Sequence, residues 1–212
     1  MSDTPQRHPI TLKRFALRLE GMGTVRVRRD VEYRAGSAGP LTLDLYYPHA
    51  SGNADGHPAV VIVAGYPDVG VPLRLGCVFK DMEMSISLAQ LIAASGMSAV
   101  TYTTSQSATD VMAVLDYLTT HAGTLGLDGS LGLWATSGNV PVALGALVAA
   151  DRPPIAAAIL SQASRWTSPT RPSPMRRGPT GSSMPRRRCR RPTCHRTFRC
   201  SSPARGGMRI PA

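Results

Sequence analysis

The chain has 212 residues, enough for one sizeable domain, and a formal charge of +11 that is distributed very unevenly. Residues 1 to 162 hold 11 Lys and Arg against 13 Asp and Glu, a net of −2, whereas residues 163 to 212 hold 13 Arg and no acid. No apolar run reaches the length of a membrane span, the first residues lack the apolar core of a secretory signal, and the body holds a single cysteine, Cys77. These features predict a cytoplasmic protein without a disulfide framework.

In chain order, TVRVRRDVEY (Thr24 to Tyr33) and LTLDLYY (Leu41 to Tyr47) alternate apolar and polar residues around the turn text AGSAGP. That period of two predicts an antiparallel hairpin with one face exposed. AVVIVAG (Ala59 to Gly65) is instead a continuous, β-branched-rich run, as expected of a strand covered on both faces in a parallel sheet. MEMSISLAQLIAASG (Met82 to Gly96) has helical spacing and a glycine at its end, and so predicts a crossover helix. Strand SAVTYT (Ser98 to Thr103), helix Ala108 to Gly123, strand LGLWAT (Leu131 to Thr136), helix Gly138 to Asp151 and strand IAAAILS (Ile155 to Ser161) follow. Strands and helices alternating through short connections predict right-handed βαβ units, hence an α/β fold with a mostly parallel sheet and helices on both faces.

Ser137 occupies a special position in this pattern. It follows a strand of small apolar residues, lies between Thr136 and Gly138, and opens a helix. A serine at so sharp a strand-to-helix turn has its hydroxyl pushed out above the sheet, next to the positive end of the helix. The alternative reading is an ordinary Ser N-cap.

The text LGLWATSGNVPVAL, together with AGYPD (Ala64 to Asp68) after the first buried strand and KDMEMSISLAQLIAASGMSAVTYT, resembles the α/β-hydrolase fold, in its dienelactone-hydrolase-like branch of serine esterases. The resemblance covers about residues 22 to 162. It implies that Ser137 is the nucleophile of a G-x-S-x-G elbow, here written Ala135-Thr136-Ser137-Gly138-Asn139, with Asn139 replacing the second glycine. It also implies that the backbone N–H groups of Tyr66 and Gly138 form the oxyanion hole, and that the substrate is a small carboxylic ester or lactone. No cofactor and no metal are implied.

In this family the triad acid and histidine follow the serine in the chain. After Ser137 only Asp151 and His195 have the right chemistry, and neither lies in a context that would hold it in place. His57 and His121 precede the serine and have no role that the resemblance carries over.

Residues 163 to 212 hold 8 of the 18 prolines and almost no aliphatic side chains, so disorder is expected there. Arg, Pro, Ser, Gly and Cys together are what GC-rich coding DNA gives when read out of frame. Back-translated with G or C at wobble positions and read from the old third base, SQASRWTS becomes text like GFALDL. PTCHRTFRCSSPARGGMRI becomes an apolar strand followed by a Gly-x-Asp loop, resembling the place of the triad acid. The expectation is therefore a frameshift near Ser161 and Gln162 that truncates the fold after about six strands.

Two alternatives remain for this tail. It is a basic arm touching nucleic acid nonspecifically through its phosphates, on a noncatalytic hydrolase-like body, or Cys189, Cys194, His195 and Cys200 hold zinc, although C-x4-C-H-x4-C fits no structural pattern. The segments are thus 1–21, an N-terminal segment; 22–162, the N-terminal part of a hydrolase domain; and 163–212, the tail. The expected consequences are an exposed sheet edge, low solubility and negligible turnover. The sequence carries no clear oligomer signal.

Overall fold

A computed structural model of the chain describes residues 7–49 and 56–161. Expectations for residues 163 to 212, including the basic arm and the zinc set, lie outside the described residues. Ten elements follow in order: β1 (Arg26–Gly36), β2 (Gly39–Tyr47), β3 (His57–Ile62), α1 (Val71–Leu75), α2 (Glu83–Ala94), β4 (Ser98–Tyr102), α3 (Ser107–Thr120), β5 (Leu127–Thr136), α4 (Val140–Val148) and β6 (Ile155–Ser161). Every predicted strand and helix is present; α1 was not predicted, because five residues show no period.

The strands form one sheet in the order β1-β2-β4-β3-β5-β6. β1 pairs with β2 and β2 with β4 antiparallel, whereas β4, β3, β5 and β6 run parallel. This is the α/β fold, a mostly parallel sheet with helices on both faces, that the alternation predicts. The spatial order places β4 inside the hairpin side of β3, because right-handed crossovers through α2 and α3 carry the chain first to one flank of β3 and then to the other.

Each sheet face has its own helical cover. On one face Leu43, Leu45, Val61, Val100 and Leu133 pack against Val111, Leu115 and Leu118 of α3 and Ala143 of α4. On the other, Tyr46, Ile62 and Ala99 pack against Leu88, Leu91 and Ile92 of α2. Alternation along β2 therefore divides its residues between two cores: Leu43 and Leu45 face α3, and Tyr46 faces α2, all fully buried. Burying each such leucine is worth about 1.5–3 kcal/mol.

β1 departs from simple alternation. Its pairing with β2 shifts register between Arg28 and Val31, and Asp30 there has φ +53°. The bulge turns Asp30 onto Lys80, whose ammonium also reaches the fully buried Asp44 at 3.1 Å. Asp30 N–H donates to Asp44 Oδ1 at 2.9 Å, and Arg29 adds a further contact at 3.3 Å. A charge buried against the sheet is thus paired on several sides, which is the condition for tolerating it.

Candidate active site

β5 ends at Thr136 in extended geometry (φ −129°), and the next residue, Ser137, has φ +53° before the chain enters a 3₁₀ turn (Ser137–Asn139) and then α4. Among the described residues only Asp30 and Ser137 take a positive φ without being glycine. An L-residue in that region is disfavoured by about 1–2 kcal/mol. An ordinary N-cap sits in the extended region instead, so the geometry is that of a strained elbow.

Close approach of three loops requires the small residues around it. A Cβ on Gly65, in the loop after β3, would lie 2.6 Å from Asn139 Oδ1 and 2.7 Å from Gly138 O. Gly65 N–H donates to Asn139 Oδ1 at 2.8 Å. Asn139, the position where the sequence departs from the glycine-rich pattern, therefore ties the elbow to the loop after β3. On Gly138 a Cβ would fall on the Tyr66 ring and hydroxyl.

The N–H groups of Tyr66 and Gly138 donate to no acceptor among the described residues, while Gly65 N–H, next to Tyr66, is engaged. Two unengaged donors thus flank the elbow. Ser137 is exposed and its hydroxyl has no hydrogen-bond partner among the described residues.

The loop that carries Tyr66 is fixed from below. Asp68 accepts from Phe79 N–H and from Thr104 N–H, both at 2.9 Å, and its own N–H donates to Thr104 O at 2.7 Å. Burial pushes the Asp68 carboxyl up, and the two backbone donors oppose that shift. Ala64 N–H donates to the buried Tyr102 hydroxyl at 3.2 Å, and Tyr33 meets the Tyr102 ring edge-on at 6.2 Å. Burial is also the main reason that both phenols are pushed well above the ordinary tyrosine range. Asp110, fully buried at the start of α3, accepts from Thr104 Oγ1, Ser105 N–H and Gln106 N–H, and so fixes the next loop. Sequence reasoning missed Asn139, Asp68, Tyr102 and Asp110 as supports; the Asp68 turn text was the one local signal.

Beside Ser137, on the α2 side of the sheet, lies a cavity of about 390 Å³ lined largely by apolar side chains, among them Phe15, Ile62, Met84, Leu88 and Trp134. Phe15 meets Trp134 edge-on at 6.2 Å, and the buried Trp134 Nε1 has no hydrogen-bond partner among the described residues. That volume lies within the range of small-molecule sites.

No described histidine serves Ser137. His57 opens β3 five residues before Ile62, which pairs with Trp134, itself three residues before Ser137, so about eight strand residues, roughly 26 Å, separate its level from that of Ser137. His121 stacks on Tyr117 at the end of α3, and its Nδ1 lies 2.9 Å from Tyr117 O. His8 Nδ1 accepts from Ile10 N–H, and His49 Nε2 lies 2.9 Å from Thr24 Oγ1. Asp151 lies beyond the end of α4, which stops at Val148, and precedes β6, so it too sits at the far end of the sheet. His195 lies outside the described residues. Among the described residues no three His, Cys, Asp or Glu side chains converge as a metal site, and no helix is long and apolar enough to cross a membrane.

No family model matches the chain, and no curated protein is similar to it in sequence. Solved structures are similar to it. A thermophilic esterase of the planctomycete Thermogutta terrifontis, with propionate bound, is 18% identical over 66% of this chain and 54% of its own, with a TM-score of 0.47. Esterase B from Lactobacillus rhamnosis is 17% identical over 65% of this chain and 48% of its own, TM-score 0.46. Vibralactone cyclase is 16% identical over 68% of this chain and 44% of its own, TM-score 0.48. The chain thus spans about half the length of each.

Proposed function

We propose that residues 22 to 162 are the nucleophile-bearing part of a cytoplasmic serine hydrolase, of dienelactone-hydrolase-like type, that acts on a small carboxylic ester or lactone. The observation that carries this reading is Ser137 at φ +53° on a strand-to-helix turn, flanked by two unengaged backbone donors. Ser137 Oγ attacks the carbonyl carbon and forms a bond to it. The carbonyl π pair moves onto oxygen, and the N–H groups of Tyr66 and Gly138 receive that charge. Collapse of the adduct breaks the ester C–O bond and expels the alkoxide, which takes the proton given up by Ser137 Oγ and becomes the alcohol; water then cleaves the acyl-serine, its OH going to the acid and its remaining proton to Ser137 Oγ. Donors held in place before the charge develops need no reorganisation, which is why such holes contribute strongly. The apolar cavity beside Ser137 takes the acyl portion.

Proton transfer from Ser137 needs a base, and no described histidine reaches it. We propose that the out-of-frame origin of residues 163 to 212 removed both the base and its orienting acid. Loss of a triad member lowers kcat by roughly 10⁴-fold or more, so this chain has negligible turnover.

The test is genetic and kinetic. Resequencing across the codons for Ile159 to Arg165, then restoring the frame by one or two bases, is expected to yield a longer chain that hydrolyses short p-nitrophenyl esters and loses activity on Ser137→Ala. Ester hydrolysis by the chain as it stands, abolished by Ser137→Ala, overturns the claim of inactivity. Activity of the restored chain that survives Ser137→Ala overturns the assignment of the nucleophile.

A further inference from the structure

The two unengaged donors stand on separate loops, and one side chain joins those loops. Tyr66 lies in the loop after β3, and Gly138 lies in the turn after β5. Asn139 directly follows Gly138, and its Oδ1 accepts at 2.8 Å from the N–H of Gly65, which directly precedes Tyr66. The bond thus runs from the residue before one donor to the residue after the other, across 74 positions of sequence. A backbone N–H can meet only the oxygen end of a side-chain amide, so this contact fixes which way the Asn139 amide is turned.

The backbones here are already in contact. A Cβ on Gly65 would lie 2.5 Å from Asn139 Cα. The glycine that lets the two loops meet is therefore on the β3 side, which leaves position 139 able to carry a side chain. Beyond the donors, the Tyr66 ring packs on Gly138, whose Cβ would lie 2.7 Å from Tyr66 Cε2. The donor pair is bracketed by these two contacts. The bond to Asn139 also occupies Gly65 N–H, so charge developing at the elbow meets the Tyr66 and Gly138 amides and not a third one. Ser137 between them holds φ +53°. A conformation of that kind persists only where its surroundings over-determine it, and the tie from Asn139 to the neighbouring loop is one such constraint.

We propose that Asn139 is a positioning residue of the oxyanion hole, its grip on Gly65 N–H setting the distance between the Tyr66 and Gly138 donors. The inference rests on the hydrolase reading of Ser137. Such donors act on the oxygen of the tetrahedral adduct and much less on the planar carbonyl. A misplacement of about 1 Å costs on the order of 10²-fold. Releasing the tie should therefore weaken a tetrahedral ligand and spare a planar one of the same length.

Butylboronic acid and butyl acetate, each offered to the full chain, supply that pair. Boron accepts a lone pair of Ser137 Oγ, the Oγ proton passes to water, and a tetrahedral borate forms, read by boron NMR. Asn139→Ala is expected to lower boronate affinity at least about tenfold while butyl acetate affinity stays within about twofold. A merely structural role for Asn139 would lower both together, and that result, or no change in either, overturns the proposal. A second measurement needs no substitution at Asn139. In the unsubstituted chain, labelled with nitrogen-15 in glycine and tyrosine, boronate is expected to move the Tyr66 and Gly138 amide signals and to leave that of Gly65 in place; a Gly65 signal that moves as far as theirs overturns the proposal. Ser137→Ala separates the two readings. If it abolishes the borate while Asn139→Ala leaves boronate affinity unchanged, only the positioning role falls. If the unsubstituted chain forms no borate, or Ser137→Ala forms it equally well, the hydrolase reading falls and the positioning role with it.

Discussion

Replacing Ser137 by glycine and, separately, by alanine isolates the strain at the elbow from its chemistry. At φ +53° an L-side chain is disfavoured by about 1–2 kcal/mol. Alanine keeps that penalty, and since the Ser137 hydroxyl has no partner among the described residues, Ser137→Ala is expected to change stability by no more than about 0.5 kcal/mol. Glycine removes the penalty but gives the unfolded chain more freedom, which costs about 0.5–1 kcal/mol. The balance leaves Ser137→Gly about 0.5–1 kcal/mol more stable than Ser137→Ala. For a chain of this size that is about 1–4 °C in Tm. Urea unfolding followed by circular dichroism, with both variants measured side by side, reads the difference. A glycine variant no more stable than the alanine variant refutes the idea that the turn stores strain, and with it the reading of Ser137 as an elbow serine.

Two further perturbations probe the supports. Tyr102→Phe leaves the buried Ala64 N–H without its acceptor and is expected to destabilise by about 1–3 kcal/mol, read by the same urea titration; a neutral result refutes a pinning role for Tyr102. Lys80→Met leaves Asp44 buried beside Asp30 and is expected to cost about 3 kcal/mol or more. The same cluster sets a pH dependence. Lys80 holds the Asp30 carboxyl below its ordinary value of 3.8, so that contribution is present above the ordinary value and is lost as pH falls through the lowered one. Burial opposes the Lys80 charge, but the carboxylates of Asp30 and Asp44 outweigh it and raise its pKa above 10.5. Its contribution is present below that ordinary value and is lost as pH rises through the raised one. Stability measured from acid to alkaline pH should therefore fall at both ends, and Asp30→Asn should flatten the acid limb; an unchanged acid limb refutes the assignment.

The sequence by itself determined the succession of elements, because a period of two, a continuous apolar run and a period of 3.6 each report which faces of a local segment are buried. AVVIVAG became the central β3 and SAVTYT its buried parallel neighbour, as their apolar character requires; IAAAILS became a strand parallel to β5, but six of its seven residues are exposed. Ser137 was legible for the same reason: a strand pattern stops and a helix pattern starts at that residue.

What joins residues distant in the chain was decided only by the tertiary structure. The positive φ of Ser137 follows from packing of the elbow under Tyr66 and Gly65, 71 and 72 positions earlier, which no local pattern encodes. Asn139 looked like a departure from the glycine-rich pattern until its side chain was found on Gly65 N–H. The bulge that brings Asp30 to Lys80 interrupts a strand that reads as regular in sequence. Position along the strands likewise separates His57 and Asp151 from Ser137: parallel strands all carry their C-terminal ends to one side, and both residues stand at the other.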